Sequence, residues 1–164
     1  MVQHVPLRED RLLHRHQVLW ADAYTSKMCF IQYMSTLDDS TVKQLVTAAY
    51  EEAENAYAPY SNYRVGAAAL MKSGEVVRAH NIENASYGLS MCAERVCVYR
   101  ALPGEIIAMA VATPDQDRAI TPCGACLQVL AEFNPHMTVI CSGTDLRIVK
   151  PLSEFLPHSF GFSG

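Results

Sequence analysis

From residue 38 onward the apolar positions fall into a legible pattern. Val42, Leu45, Val46, Ala49, Tyr50 and Ala53 recur at three- and four-residue intervals, which predicts an amphipathic helix. Thr41 with Gln44 three residues on predicts a capping box at its start, and Pro59 closes the region behind it. Residues 64–71 read as a strand, Ser73-Gly74 as a hairpin turn and residues 75–82 as the antiparallel partner. Gly66 and Ala67-Ala68-Ala69 imply that something packs closely on the first strand. Residues 91–102 read as a helix ended by Pro103-Gly104. Residues 106–112 form a short apolar strand, and residues 125–133 a helix stopped by Asn134-Pro135. Residues 137–141 and 146–150 are two further strands, and residues 151–156 a last helical turn. A hairpin followed by alternating helices and strands predicts an α/β fold. The expected form is a three-layer α/β/α sandwich, a mixed five-stranded sheet with helices on both faces.

Residues 1–37 carry no such pattern. Leu12, Leu13, His16 and Trp20 give a faint helical hint, and Met28-Cys29-Phe30-Ile31 a short apolar patch. The segment holds 4 Lys+Arg and 3 Asp+Glu, whereas residues 38–164 hold 9 and 14. A mitochondrial targeting peptide is Arg- and Ser-rich and poor in acids; Glu9, Asp10 and Asp22 argue against one. The segment reads as an irregular extension, or as upstream sequence read in by a misplaced start, ahead of a single domain at 38–164. His4, His14 and His16 fall in it and offer only adventitious metal binding.

Composition narrows the function classes. The chain has 164 residues, half of them hydrophobic and 18% charged, with a formal net charge of −4. That excludes a disordered chain and argues against duplex binding by phosphate neutralisation. No run approaches the ~18 consecutive apolar residues of a membrane span. There are six cysteines, at 29, 92, 97, 123, 126 and 141. A chain of this length and apolar content builds its core without disulfides, and its first thirty residues show no secretory apolar stretch. Reduced thiols in a cytoplasmic setting are therefore expected, some of them as metal ligands.

Cys123-Gly124-Ala125-Cys126 is a C-x-x-C at a strand-to-helix junction, where the helix dipole favours anionic sulfur. By itself the motif leaves redox, structural zinc and catalytic zinc open. Cys92-Ala93-Glu94 lies about thirty residues upstream, again where a helix begins. A third thiolate there would give three protein ligands and an open position, the pattern of catalytic zinc. Glu94 would flank that position without binding the metal, placed to shuttle protons. Cys97 and Cys141 read as buried structural thiols.

These two motifs resemble those of the zinc nucleobase deaminases, which carry His/Cys-x-Glu followed by Pro-Cys-x-x-Cys. Here they read Cys92-Ala93-Glu94 and Pro122-Cys123-Gly124-Ala125-Cys126. From about residue 40 the chain is similar to the small, homotetrameric cytidine deaminases in particular. The similarity includes Ala58-Pro59-Tyr60-Ser61, Val65-Gly66-Ala67-Ala68, Asn81-Ile82-Glu83-Asn84-Ala85, the Cys92 and Cys123 motifs, and Leu156-Pro157-His158-Ser159-Phe160-Gly161. Tyr63 stands where that family usually has Phe.

The resemblance implies hydrolytic deamination of cytidine and 2′-deoxycytidine to the uridines with release of ammonia, a step of pyrimidine salvage. It implies one zinc per subunit on Cys92, Cys123 and Cys126, with Glu94 moving a proton from water to the base and then to the leaving amine. It implies that Asn81 and Glu83 bind the ribose, that Tyr63 contacts the pyrimidine, and that the Ala93 N–H meets O2. The Thr121 carbonyl would face the amino group. Arg95 would hydrogen-bond the ligand sulfurs and offset their charge. Phe160 would close a neighbouring subunit's site in a homotetramer with shared active sites. Nucleic acid and membrane are not expected partners.

Other readings stay open at this point. The substrate could be another aminopyrimidine nucleoside such as blasticidin S, or cytosine in a polynucleotide, though the acidic charge opposes the latter. A non-catalytic zinc module of the same fold would need a fourth ligand from Cys97, Cys141 or His80. A redox protein would cycle a Cys123–Cys126 disulfide.

Overall fold

In a computed structural model of the chain, residues 37–161 are described. The expectations for the N-terminal segment, its helical hint, its apolar patch with Cys29 and its three histidines, lie outside the described residues. No helix among those described is long and apolar enough to cross a membrane.

The first element among the described residues is helix α1 (Asp39–Ala53), whose buried residues Val42, Leu45, Val46, Ala49 and Ala53 hold the expected spacing. Its start corrects the sequence reading. Asp38 is the N-cap, and its Oδ1 accepts the Thr41 N–H at 2.6 Å, so Thr41 sits inside the helix instead of heading a capping box. As the N-cap, Asp38 stands where its carboxylate meets the amide three residues on, whereas Thr41 lies within the first turn and supplies that amide.

Strands β1 (Gly66–Met71) and β2 (Val76–His80) form the expected hairpin, turned through Gly74 at φ 89°. After a 3-10 turn (Tyr87–Leu89) come helix α2 (Ala93–Ala101), strand β3 (Ile106–Ala112), helix α3 (Gly124–Phe133), strands β4 (Thr138–Ser142) and β5 (Arg147–Pro151), and the short helix α4 (Leu152–Phe155). The sheet order is β2-β1-β3-β4-β5. β3 and β4 run parallel, and the other pairs antiparallel, so the sheet is mixed as anticipated.

Two boundaries differ from expectation for reasons that matter to the site. The first strand begins at Gly66 and not at Arg64, because the amides before it are taken by side chains. Arg64 N–H donates to Asp115 Oδ2 at 2.7 Å, and Val65 N–H to Asn81 Oδ1 at 2.8 Å. The second helix begins at Ala93 and not at Met91, because Met91 exchanges both backbone hydrogen bonds with Ile82 and Cys92 becomes the N-cap.

The two faces of the sheet are built differently. Ala68, Ala108, Ala110, Ala112 and Ile140 pack under α1 with Leu45 and Ala49. The opposite face presents Met71, Met109, Val111 and Val139 to α2 and α3. Small residues let α1 lie close. At Gly66 the approach is so tight that a Cβ would stand 1.9 Å from the Ala49 carbonyl oxygen and 2.6 Å from Ala53 N. Backbone atoms cannot yield as a flexible side chain can. Gly66→Ala is therefore expected to destabilise the domain by about 3 kcal/mol, read as a lower urea midpoint. An unchanged midpoint would mean that α1 is free to move away.

Candidate metal centre and active site

α2 and α3 lie side by side on the same face of the sheet, and both begin at a cysteine. Cys92 is the N-cap of α2, Cys123 that of α3, and Cys126 sits in the first turn of α3. Each helix directs unsatisfied amides and the positive end of its dipole toward the sulfurs. Among the described residues, these three Sγ atoms form the group able to hold a metal, all within 4.8 Å of one another. Cys92 and Cys123 are 4.0 Å apart, and Cys123 and Cys126 3.5 Å. Sulfurs at ~2.3 Å on a tetrahedral zinc would stand about 3.8 Å from each other, so the set fits that ion without rearrangement.

Electrostatics give the same answer. The Cys92 thiol is pulled down to about 5, first by contact with Cys126, then by Arg95 and Cys123, against the effect of burial. Cys126 is pushed up by Cys92 and by burial. Three crowded sulfurs thus share one readily formed negative charge; ionising all three requires a cation in their midst. Arg95 Nη2 lies 3.9 Å from Cys92 Sγ, and its buried Nε has no hydrogen-bond partner in the described residues. Such an orphan is tolerable beside concentrated negative charge and costly elsewhere.

Glu94, one residue into α2, is 4% exposed. Burial, reinforced by the negative charge of Cys92, raises its carboxyl to about 7. A carboxyl poised there holds or releases a proton near neutral pH. It joins no metal-ligating group.

Beside the sulfurs opens a cavity of about 290 Å³. Tyr63, Asn81, Glu83, Cys92, Ala93, Glu94, Thr121 and Cys123 line it, together with Val65, Ile82, Ser90, Met91 and Ile120. Ala93 is the first residue of α2, so its N–H has no partner within the helix. Segment 81–83 continues beyond β2. It is held between two neighbours: Glu83 N–H donates to Tyr57 O at 2.8 Å, and Met91 N–H to Ile82 O at 2.8 Å. That second contact brings the polar pair Asn81 and Glu83 alongside the start of α2.

Both of those side chains are partly engaged. Asn81 Oδ1 accepts from Val65 N–H, and its Nδ2 donates to Tyr63 O at 2.9 Å. Glu83 Oε2 accepts from the N–H groups of Tyr60 at 2.8 Å and Ser61 at 3.2 Å, and Oε1 from the Ser61 hydroxyl. These bonds hold the Glu83 carboxyl below its ordinary range, the Ser61 hydroxyl contributing most. Burial raises the Tyr63 phenol, with Asp115 and Glu94 adding, so it stays protonated.

Phe160 does not line the cavity of its own chain. Its ring is 69% exposed, and its backbone is bracketed by the Gln128 amide, which donates to Phe160 O at 2.8 Å and accepts from its N–H at 3.1 Å. Val65, Ile82, Ser90, Met91 and Ile120 line the cavity beyond the expected residues; only their adjacency to the motif residues points to them in the sequence. The potential fourth ligands are occupied elsewhere or buried apart. The Cys97 thiol donates to Val77 O at 3.3 Å, His80 Nδ1 is 2.8 Å from Glu52 Oε1, and Cys141 is buried in β4. The five described cysteines are free, Cys123 and Cys126 among them.

Residues 39–142 match the family described as the cytidine and deoxycytidylate deaminase zinc-binding region. A cytidine deaminase of Halalkalibacterium halodurans is 44% identical over 124 residues, 72% of this chain and 92% of that protein. A probable cytidine deaminase of Dictyostelium discoideum is 37% identical over 128 residues, 76% of this chain and 86% of the other. The crystal structure of a cytidine deaminase from Burkholderia pseudomallei superposes with a TM-score of 0.68 at 42% identity, covering 72% of this chain and 98% of that one.

The sulfur cluster predicts a metal count. Purified protein should hold one zinc per chain by elemental analysis, and Cys92→Ser, Cys123→Ser or Cys126→Ser should each lower it. Cys141→Ala should leave it unchanged. Equal zinc loss from Cys141→Ala would point to a different ligand set.

Proposed function

The chain belongs to the cytidine and deoxycytidylate deaminase family, and from that premise we propose that it hydrolyses the 4-amino group of cytidine and 2′-deoxycytidine, releasing ammonia and the uridines. The observation that carries this reading is the buried Glu94 carboxyl beside three metal-ligating sulfurs on the wall of a nucleoside-sized cavity. Water adds to C4, the C4–N bond breaks, and the amine leaves with the protons it has gained.

Cys92, Cys123 and Cys126 would hold zinc, which would supply the Lewis acidity that makes water nucleophilic near neutral pH. The protein's own groups do the rest. Glu94 takes a proton from the attacking water, passes it to ring N3, and then carries one to the departing nitrogen. Its removal from solvent and its raised affinity for protons suit a group that must both accept and donate. The free Ala93 N–H serves the base O2, and the Thr121 carbonyl the amino group. Tyr63 serves as the wall against the pyrimidine.

Hydrogen-bond arithmetic supports Asn81 and Glu83 as the sugar contacts. A carboxylate has about four acceptor sites, and three on Glu83 are filled. One acceptor remains there, and one N–H remains on Asn81. That pair complements a hydroxyl, which donates to the carboxylate and accepts from the amide. The negative charge of Glu83 would repel a phosphate, which favours nucleosides over nucleotides.

Three thiolates on a divalent ion leave a net charge of −1, which weakens its pull on water. Arg95 beside Cys92 offsets that charge. The assembly we propose is a homotetramer in the cytoplasm, with Phe160 closing a neighbour's cavity and the activity serving pyrimidine salvage. The exposed Phe160 ring on a tethered backbone supports that arrangement.

An ultraviolet assay of zinc-quantified protein tests the reaction. Cytidine and deoxycytidine should be converted and CMP and blasticidin S spared. Glu94→Ala should abolish turnover, and Glu94→Gln, which cannot carry the proton, should lower kcat by about 10²- to 10⁴-fold. One bound zinc with no conversion of any of the four would sink the reading. In the same assay Arg95→Gln should slow turnover while zinc content holds; unaltered turnover would remove Arg95 from the electrostatic role.

A further inference from the structure

Ser61 has no part in the reaction as derived above, yet it touches two walls of the cavity at once. Its hydroxyl donates to Glu83 Oε1 at 2.5 Å and accepts the Tyr63 N–H at 3.0 Å. Its own N–H donates to Glu83 Oε2 at 3.2 Å. Neither Tyr63 nor Glu83 is otherwise joined to the other by a direct bond. We propose that Ser61 is a positioning residue that fixes the Glu83 carboxylate and the Tyr63 backbone relative to each other and so sets recognition of the sugar hydroxyl; this rests on the reading of the cavity as a nucleoside site.

A carboxylate offers about four acceptor sites, two on each oxygen. Without Ser61, Glu83 would keep one or two amide bonds on Oε2 and none on Oε1, and the carboxylate would be free to pivot about that single anchored oxygen. With Ser61 both oxygens are held, and the one acceptor site left over lies on Oε1 in a fixed direction. A ligand hydroxyl then meets a preorganised acceptor, and little ordering is left to be done on binding. The same hydroxyl occupies the Tyr63 N–H, while Asn81 Nδ2 takes the Tyr63 carbonyl. The backbone of the aromatic wall is thus pinned on both sides, by Ser61 and by Asn81. Asn81 and Glu83 are two residues apart on one extended segment, so Ser61 closes a ring of contacts running from residue 61 through 63 and 81 to 83. Ser61 is exposed and lies outside any helix or strand, which makes a purely structural function a weak account of three bonds converging on one carboxylate.

The sulfurs and Glu94 are not in this ring. Losing the Ser61 hydroxyl should therefore weaken binding and leave chemistry alone, and chiefly for ligands that carry the hydroxyl in question. The test uses the zinc-loaded full chain with cytidine and with 2′,3′-dideoxycytidine, which lacks both ring hydroxyls. Ser61→Ala should raise KM for cytidine about tenfold and keep kcat within about twofold. KM for the dideoxynucleoside, which keeps only the Tyr63 wall, should rise by no more than about twofold, because Asn81 still holds the Tyr63 carbonyl. Ser61→Thr, which restores the hydroxyl, should return cytidine KM to near the parent value. Carboxyl NMR should show Glu83 titrating higher in Ser61→Ala than in the parent. Zinc content and thermal midpoint should match the parent in both variants.

An equal rise in KM for both nucleosides, or a fall in zinc or thermal midpoint, would mark Ser61 as merely structural and overturn the proposal. So would an unmoved cytidine KM. A parent enzyme that converts neither nucleoside would defeat the nucleoside reading instead. In that case the Glu83 titration still decides the clamp: a shift in Ser61→Ala upholds it, and none overturns it.

Discussion

Three thiol sulfurs within 4.8 Å of one another do not all ionise readily unless a cation sits among them, and much of the site follows from that constraint. Two helix N-termini have to arrive at one point, so α2 and α3 must share a face of the sheet and begin at the same end of it. The partial positive charge of both termini favours sulfur anions there, and Arg95 adds a full one. The same crowding bears on Glu94. It is buried beside negative sulfur and so binds its proton more tightly than a surface carboxylate would. The metal-binding set and the proton carrier are thus tuned by one another.

Bringing two helices to one point depends on what lies behind them. The sheet face under α1 is almost entirely alanine with glycine at its edge, and the helix sits against backbone. The face under α2 and α3 carries Met71, Met109, Val111 and Val139, whose bulk fills the space between sheet and helices. Close approach on one side and thicker packing on the other fix the layer spacing, and with it the height of the sulfurs above the sheet.

The polar wall of the cavity is held by a different kind of bond. Segment 81–83 is neither helix nor named strand, and its backbone is shared between Tyr57 and Met91. Its two polar side chains use most of their hydrogen-bonding capacity on the loop at 60–65 and keep a small remainder for a ligand. A side chain that is mostly satisfied by the protein is rigid, and one that is not wholly satisfied still has something to offer. Specificity of this sort depends on an exact count of donors and acceptors more than on charge.

Local chemistry was legible in the sequence wherever the partners are near in the chain. Cys92 with Glu94, and Cys123 with Cys126, are two or three residues apart at helix starts, so spacing marked them as candidates, and the resemblance to the zinc deaminase motifs supplied their roles. The helix at 39–53 and the strand at 106–112 were legible because periodicity is itself a local property. The capping of α1 differs from expectation because Asp38 and Thr41 are both good N-cap residues three positions apart, and only geometry shows at which one the helix starts. Ser61 stood inside a recognised motif without a role, since its bonds to Glu83 span twenty-two residues. The starts of β1 and α2 were set by Asn81 and Ile82, which are likewise distant in the chain. Sequence by itself therefore determined which candidate ligands and proton carrier the chain carries, because each motif lies within a single turn and the pair resembles a known one. Tertiary structure alone decided how that chemistry is enclosed, because hydrogen bonds between distant segments exist only after the chain has closed its loops.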